Sequence, residues 1–236
     1  MKTSLTFLTW NRLKFVQRAV INNIKTADYP IDEIIWVDNG STDGTINWME
    51  EFLAGYNHKK HLFKDNQGSA IGYNKAYSLV SGKWIARPSS DMCMPQGWLK
   101  LMMDYAETVS MTGIVAMVNR SSIPFVSARF FGGKMMINGK IIQPANALGS
   151  ILFNKEIIDK GIFLPTEGKY GYDDTRWTMA VRDAGYNTYY IDGIVEDFPQ
   201  EELRDYPEYV EWKSTELKKF ELEHPEFKSL NCKING

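Results

Sequence analysis

The sequence predicts an α/β fold: a Rossmann-like, doubly wound, mostly parallel sheet flanked by helices, then a smaller β/loop region and a C-terminal helix. Three observations predict it. Apolar strand-like runs alternate with helical periodicity in a β-α-β-α-β-α-β-α-β rhythm as far as residue 118. In Ile34-Ile35-Trp36-Val37-Asp38-Asn39-Gly40-Ser41-Thr42-Asp43-Gly44-Thr45, an apolar run stops at a carboxylate, and a small polar turn follows before a new periodic segment. That is how a buried parallel strand delivers an acid to its carboxyl end, where open α/β sheets bind ligands. Past residue 118 the character changes, and Asn138-Gly139 between two apolar runs signals a hairpin.

The elements follow in order. Residues 5–9 form a short strand, and Trp10-Asn11-Arg12 turns out of it. Leu13, Val16, Val20 and Ile24 recur at helical spacing until Tyr29-Pro30 stops the helix. Residues 34–37 are the second strand, and Ile46, Met49 and Leu53 line the next helix, which ends near Gly55. A third strand is expected over 61–64, before the polar turn Asp65-Asn66-Gln67-Gly68. Asn74, Lys75 and Ala76 lie in a helix stopped at Ser81-Gly82. Residues 84–86 make a fourth strand, Pro95 is suited to open the helix carrying Trp98, Leu101 and Met102, and 113–118 is the fifth strand. The hairpin pairs 135–137 with 141–142. A strand over 150–153, a short helix over 154–160, a Gly/Tyr/Asp loop, a helix bearing Trp177, Val181 and Ala184, and a strand over 187–191 follow. From Glu201 the chain is charged but carries Leu203, Tyr209, Trp212 and Phe220, which reads as a helix packed on the body.

Length and composition narrow the function classes. The 236 residues suit one large domain, and 44% hydrophobic against 24% charged residues permits a sizeable core and argues against disorder. No linker divides the chain, so one domain over 1–236 is expected, with segments 1–118, 119–200 and 201–236. A net charge of -2 supplies no general basic field for nucleic acid, although Arg120, Arg129, Lys134 and Lys140 could make a local groove basic. Cys93 and Cys232 lack metal-ligand or disulfide-framework spacing. The first eight residues read as a strand, not a secretory signal, and no apolar run approaches the roughly 18 residues that span a bilayer. A soluble, cytoplasmic protein is the expectation.

Several motifs are absent or misplaced. Neither G-x-G-x-x-G after the first strand nor a P-loop occurs, which leaves a dinucleotide fold unsupported. Asn39, Ser41, Asp43, Gly44 and Glu50 have EF-hand spacing, but the first ligand is Asn and a strand precedes it, so a turn is the commoner reading. Cys93 has no partnering His and reads as a buried thiol. What remains is a run of polar strand ends: Thr9, Asn11 and Arg12; Asp38 and Asp43; Asn66 and Gly68; Ser89, Ser90 and Asp91. One such end is ordinary loop chemistry, whereas four in a row line a cleft. It could offer amides and carboxylates to a base and ribose, and a cation site to a diphosphate.

Here the chain resembles the family 2 glycosyltransferases, nucleotide-diphospho-sugar transferases of the GT-A fold. Thr9-Trp10-Asn11-Arg12 is similar to that family's opening motif, and Val37 to Thr45 to its "VDNGSTDGT". Asn66-Gln67-Gly68 with Asn74-Lys75 matches its N-x-G segment. Ser89-Ser90-Asp91 and then Pro95-Gln96-Gly97-Trp98 lie where it carries D-x-D and P-G-W. Gly149-Ser150 and Gly171-Tyr172-Asp173-Asp174 fall at its acceptor loop and E-D base. The co-linear match spans roughly residues 3–197, with 1–118 as the nucleotide-sugar half and 119–200 as the acceptor side.

The resemblance implies roles. Asp38 would accept from the imide N–H of uracil, and Thr9, Asn11, Asn66, Gly68 and Ser90 would hold the nucleotide. Arg12 and Lys75 would offset diphosphate charge. Asp91 would hold Mn²⁺ or Mg²⁺ against the diphosphate, with Asp197 a second oxygen ligand where many members have His. Asp174, helped by Asp173, would be the general base of an inverting transfer, and Trp98, Gly149, Ser150 and Tyr172 would face the acceptor. Ser89 departs from the first Asp of D-x-D. The implied reaction moves a sugar from a nucleotide-diphospho-sugar, with a UDP-sugar as the expected donor, to a hydroxyl of a glycan, lipid-linked glycan, protein or hydroxylated nucleobase. Two other readings stay open: a non-catalytic nucleotide-sugar-binding protein of the same fold, and a nucleotidyltransferase, which would want a Gly-rich basic loop where Trp10-Asn11-Arg12-Leu13 stands.

Overall fold

A computed structural model of the chain describes residues 2–119, 135–137, 140–144, 150–197 and 200–227. Strand β1 (Thr3–Thr9) leads to helix α1 (Leu13–Lys25), β2 (Glu33–Asp38), α2 (Thr45–Leu53), β3 (His58–Leu62), α3 (Ser69–Leu79) and β4 (Trp84–Arg87). A two-residue β5 (Met92–Cys93), α4 (Trp98–Thr108) and β6 (Thr112–Asn119) follow. Next come β7 (Met135–Ile137), β8 (Lys140–Pro144), β9 (Ile151–Asn154), α5 (Glu156–Asp159), α6 (Asp173–Asp183) and β10 (Asn187–Asp197). A 3-10 turn (Gln200–Asp205) precedes α7 (Pro207–Glu223).

Among the described residues the strands pair in the order β3-β2-β1-β4-β9-β6-β10-β8-β7, with β5 beside β10. β3, β2, β1 and β4 are parallel neighbours, as are β6 and β10. β9 runs antiparallel between β4 and β6. The expected α/β architecture is therefore observed, mostly parallel and covered on both faces. The two-residue period of β2 explains why. Ile34 and Trp36 join Leu5, Phe7 and Trp98 in one core, whereas Ile35 and Val37 join Ile85, Ile114 and Trp177 in the other. Among the described residues no helix is long and apolar enough to cross a membrane.

The differences from expectation have local causes. The third strand starts three residues early and ends at Leu62, because it is an edge strand whose Lys59 and Lys60 face water. Pro95 sits in the turn before α4, whose first residue is Trp98. β10 runs on to Asp197 past a bulge between Ile191 and Ile194. The hairpin strands pair as expected, Met135 with Ile142 and Met136 with Ile141; its turn, Asn138-Gly139, lies outside the described residues.

All the parallel strands point their carboxyl ends the same way. The chain order reverses between β1 and β4, so the loops leaving these two strands open on either side of a switch point, the usual place for a ligand. α7 lies across this edge. Its Tyr209, Trp212, Lys213, Glu216 and Leu217 are half-buried, and Phe220 is buried, all on one helical face.

Candidate active site

The loop after β2 folds inward on itself. Asp38 pairs in register with Thr9 at the ends of β2 and β1. Its Oδ2 accepts from the Thr9 hydroxyl at 2.6 Å and the Ser41 hydroxyl at 2.7 Å, and its Oδ1 from the Ser41 N–H at 2.6 Å. Thr9 Oγ1 in turn accepts from the Trp36 indole at 2.9 Å. Asp38 and Thr9 have no exposed surface. The carboxylate expected to meet uracil is thus sealed beneath the loop, where hydroxyls take up the lone pairs that a base would need.

Asp43 works between loops. Its Oδ2 accepts from the Leu13 N–H at 2.8 Å, and its Oδ1 from the Thr45 N–H and hydroxyl. One carboxylate so serves the N-termini of both α1 and α2, where the helix dipoles favour a negative charge. Asn11 N–H donates to Ser41 Oγ, and Asn11 Oδ1 accepts from the Thr42 N–H. This zipper holds Asn11 at φ 49° and Arg12 at φ 62°, left-handed geometry that is uncommon outside glycine. The reversal aims the Arg12 side chain back over the strand ends.

Asn39 and Asn66 grip Gly68 from two sides. Asn39 Nδ2 donates to the Gly68 carbonyl at 3.0 Å, and Asn66 Oδ1 accepts from the Gly68 N–H at 2.8 Å. Each amide leaves its other end buried and unmatched: an acceptor on Asn39 and a donor on Asn66. Gly68, at φ +91°, is where the 167–172 loop comes closest. A Cβ there would lie 2.3 Å from the Lys169 carbonyl oxygen.

Past β4, Asp91 Oδ2 accepts from Arg12 Nη1 at 2.8 Å and Oδ1 from the Ser89 hydroxyl at 2.5 Å. Burial alone would raise this carboxyl, but Arg12 and the Ser89 hydroxyl bring it below its ordinary value. Ser90 is buried beside it. Among the described residues no three His, Cys, Asp or Glu side chains gather closely enough to cage an ion. The donor set fits a hard divalent cation in one way only, a single carboxylate completed by substrate phosphate oxygens and water, which is a common mode for Mg²⁺. The Asp197 backbone pairs with Met92, next to Asp91; its side chain lies outside the description.

The first turn of α6 supplies two more acids. Asp173 Oδ2 accepts from the Ser69 hydroxyl at 2.8 Å. Asp174 Oδ1 accepts from the Thr175 N–H at 2.7 Å. Burial first, and then Asp173, push Asp174 up to about 7, against the pull of Arg87. Arg87, buried at the end of β4, donates to the Tyr77 hydroxyl and lies 4.7 Å over the Tyr73 ring. Tyr73 feels Arg87, Tyr77, Asp91 and Asp173 together, so the acids from β4 and α6 border one region.

α7 roofs that region. The Arg12 guanidinium stands 3.8 Å from the Tyr209 ring centre, and Trp10 meets Trp212 edge-on at 4.8 Å. Lys213 Nζ lies 5.1 Å from the Tyr170 ring centre and 5.8 Å from that of Tyr209.

Other expected residues sit elsewhere. Trp98 is fully buried, its indole donating to the Asn23 carbonyl at 3.0 Å, so it is a core residue and not an acceptor contact. Ser150 is buried and accepts from the Ser89 N–H at 3.2 Å, a support beneath the β4 loop. Tyr172 turns to α7, donating to Glu221 Oε1 and stacking on Phe220. Lys75 acts on His61 of β3, some 9 Å along α3 from the Gly68 end at the usual helical rise. Gly149, Arg120, Arg129, Lys134 and Cys232 lie outside the described residues, as does the Lys140 side chain. Sequence reasoning missed Arg87, Tyr73, Ser69 and Lys213, which belong to no motif; only the helical spacing of Tyr209, Trp212 and Phe220 hinted that α7 has an inward face.

Residues 4–160 match the family model described as Glycosyl transferase family 2. Glycosyltransferase AglE of Haloferax volcanii is 24% identical over 195 residues, which cover 79% of this chain and 63% of that protein. The mannosyltransferase PcManGT of Pyrobaculum calidifontis, solved with GDP-Man and Mn²⁺, superposes with a TM-score of 0.65 at 20% identity, covering 84% of this chain and 57% of that one. Staphylococcus aureus TarS 1–349, solved with UDP-GlcNAc, gives 0.62 at 19%, covering 84% and 59%. At such identities these structures share the fold, and the chain spans about three-fifths of the length of these relatives.

Proposed function

Because this chain belongs to glycosyl transferase family 2, we propose that it is an inverting glycosyltransferase that takes a sugar from a UDP-sugar and delivers it to an acceptor hydroxyl. The observation that carries the reading is that Asp91, held by Arg12 past the end of β4, and Asp173, held by Ser69 in the first turn of α6 beside Asp174, both act on Tyr73, over whose ring Arg87 lies at the carboxyl edge of the sheet.

The base is read by Asn39 and Asn66 in place of Asp38. A buried, unmatched acceptor on Asn39 and a buried, unmatched donor on Asn66, amides that share Gly68, complement the imide N–H and carbonyl of uracil. Asp38 serves the same end indirectly, by fixing Thr9 and Ser41 and so the loop that presents Asn39. Arg12 lies where the diphosphate follows the nucleoside, beside Asp91. Asp91 would hold Mg²⁺ or Mn²⁺ there, and when bound such an ion supplies Lewis-acid stabilisation of the leaving phosphate charge.

Asp174 takes the proton of the acceptor hydroxyl. The freed oxygen attacks the anomeric carbon as the bond from that carbon to the β-phosphate oxygen breaks, and the bonding pair leaves with the diphosphate. Attack from the face opposite the leaving group inverts the configuration. Burial first, and then the neighbouring Asp173 that Ser69 holds, make Asp174 a willing acceptor of a proton.

The test is transfer and donor hydrolysis with Asp174→Asn. Loss of turnover by on the order of a hundredfold or more, with UDP affinity kept, is the expected result. Turnover equal to wild type removes Asp174 from the mechanism. UDP binding without transfer or hydrolysis by the wild-type chain, across a donor and acceptor screen, would favour a non-catalytic nucleotide-sugar-binding protein.

A further inference from the structure

α7 contributes more than a cover. Lys213 reaches inward from it, half-buried, between the rings of Tyr170 and Tyr209. No ion pair joins Lys213 to a carboxylate among the described residues, although it is half-buried. The carboxylate that acts on it, Asp91, is already occupied by Arg12 and Ser89. Burying an ammonium without an anion is unfavourable, and tyrosine hydroxyls and faces compensate only part of the lost hydration. Two cations, Arg12 and Lys213, therefore face one carboxylate.

We propose that α7 completes the donor site, with Lys213 contacting the diphosphate of the bound nucleotide from the side opposite Arg12. The inference rests on the nucleotide-sugar reading above and deepens it. Residue 213 lies beyond the stretch matched by the family model, which ends at 160. Tyr170 and Tyr209 flank the lysine, and Trp212 against Trp10 sets the height of the helix above the β1 loop. A phosphate entering between Arg12 and Lys213 meets charge-assisted donors on two sides. As the anomeric bond breaks, negative charge accumulates on the phosphate oxygens nearest these two side chains.

The experiment compares calorimetric affinities for UDP and for uridine, which lacks the phosphates, in wild type, Lys213→Gln, Lys213→Arg and Lys218→Gln. Lys218 lies on the exposed face of the same helix, so its change removes equal charge without touching the site. The readout is the preference of each protein for UDP over uridine, which general loosening of the fold does not mimic. Lys213→Gln is expected to lower that preference about tenfold or more, equivalent to at least ~1.4 kcal/mol of phosphate binding. Lys213→Arg restores most of it, and Lys218→Gln leaves it unchanged. An unchanged preference in Lys213→Gln, or an equal fall in Lys218→Gln, overturns the inference while the donor reading stands. Wild-type protein that binds neither UDP nor uridine overturns both.

Discussion

Asp174 faces opposing demands. As a base it must be ionised, yet burial, with Asp173 adding to it, pushes its carboxyl up to about 7 from an ordinary 3.8. Turnover at limiting donor and acceptor should then climb as pH passes through about 7 and level off above it. Stability moves the other way. A carboxyl raised in the folded state binds a proton that the unfolded chain has released, so folding is weakened as pH rises from about 4 to about 7. Asp174→Asn keeps the carbonyl that accepts from Thr175 and drops the buried charge. The variant should therefore melt higher than wild type at pH 8, with the gap closing near pH 4. Thermal melts across that range check it, and a variant no more stable at pH 8 would count against the burial argument. Sequence could name Asp174 but not this conflict, because Arg87, Tyr73 and Ser69 reach the acid only through the fold.

Among the elements, the turn before α3 and the loop before α6 behave as one unit. Ser69 N–H donates to the Lys169 carbonyl, Lys169 Nζ donates to the Asn66 carbonyl, and Ser69 Oγ donates to Asp173. Gly68 is the point of contact, with no room for a methyl group. Gly68→Ala should cost on the order of 1–3 kcal/mol of stability. It should also lower both UDP affinity and turnover, since Asn39, Asn66 and Asp173 all depend on that approach. Denaturant melts and calorimetry read the two effects, and an alanine tolerated within 0.5 kcal/mol would mean the loop yields more readily than the packing implies. Element boundaries were legible where burial is two-sided, as in β2. They were missed where the strand is wet: β3 is an edge strand whose Lys59, Lys60 and Leu62 are exposed, so it shows neither a continuous apolar run nor a clean alternation. Trp98 was misread for a related reason, since a helix residue next to a motif looks functional until its indole is found donating to Asn23 in the core.

At the scale of the molecule, the sheet and its two cores were readable, because a strict β-α alternation admits few arrangements. The helix packed on the body was readable too, but its place over the site was not, because α7 is seated by scattered aromatic contacts with no fixed spacing to the motifs they cover. Phe220 anchors it, 1% exposed and packed against Gly168, Gly171, Tyr172 and Phe227. Phe220→Ala should cost about 3–5 kcal/mol if the helix stays seated, or less with a loosened α7 if it lifts. Hydrogen exchange distinguishes these: faster exchange confined to α7 and residues 167–174, with β1, β2 and β4 still protected, is the expected pattern. Uniform acceleration across the sheet would make α7 part of the core.

The pairing of Trp10 and Arg12 with Trp212 and Tyr209 joins early and late stretches of the polypeptide. On the ribosome, β1 to β4 emerge and can associate while these partners are still untranslated. A nascent or prematurely terminated product would so possess β1 to β4 and the acids beside them yet lack α7, and with it the wall proposed to face the phosphates.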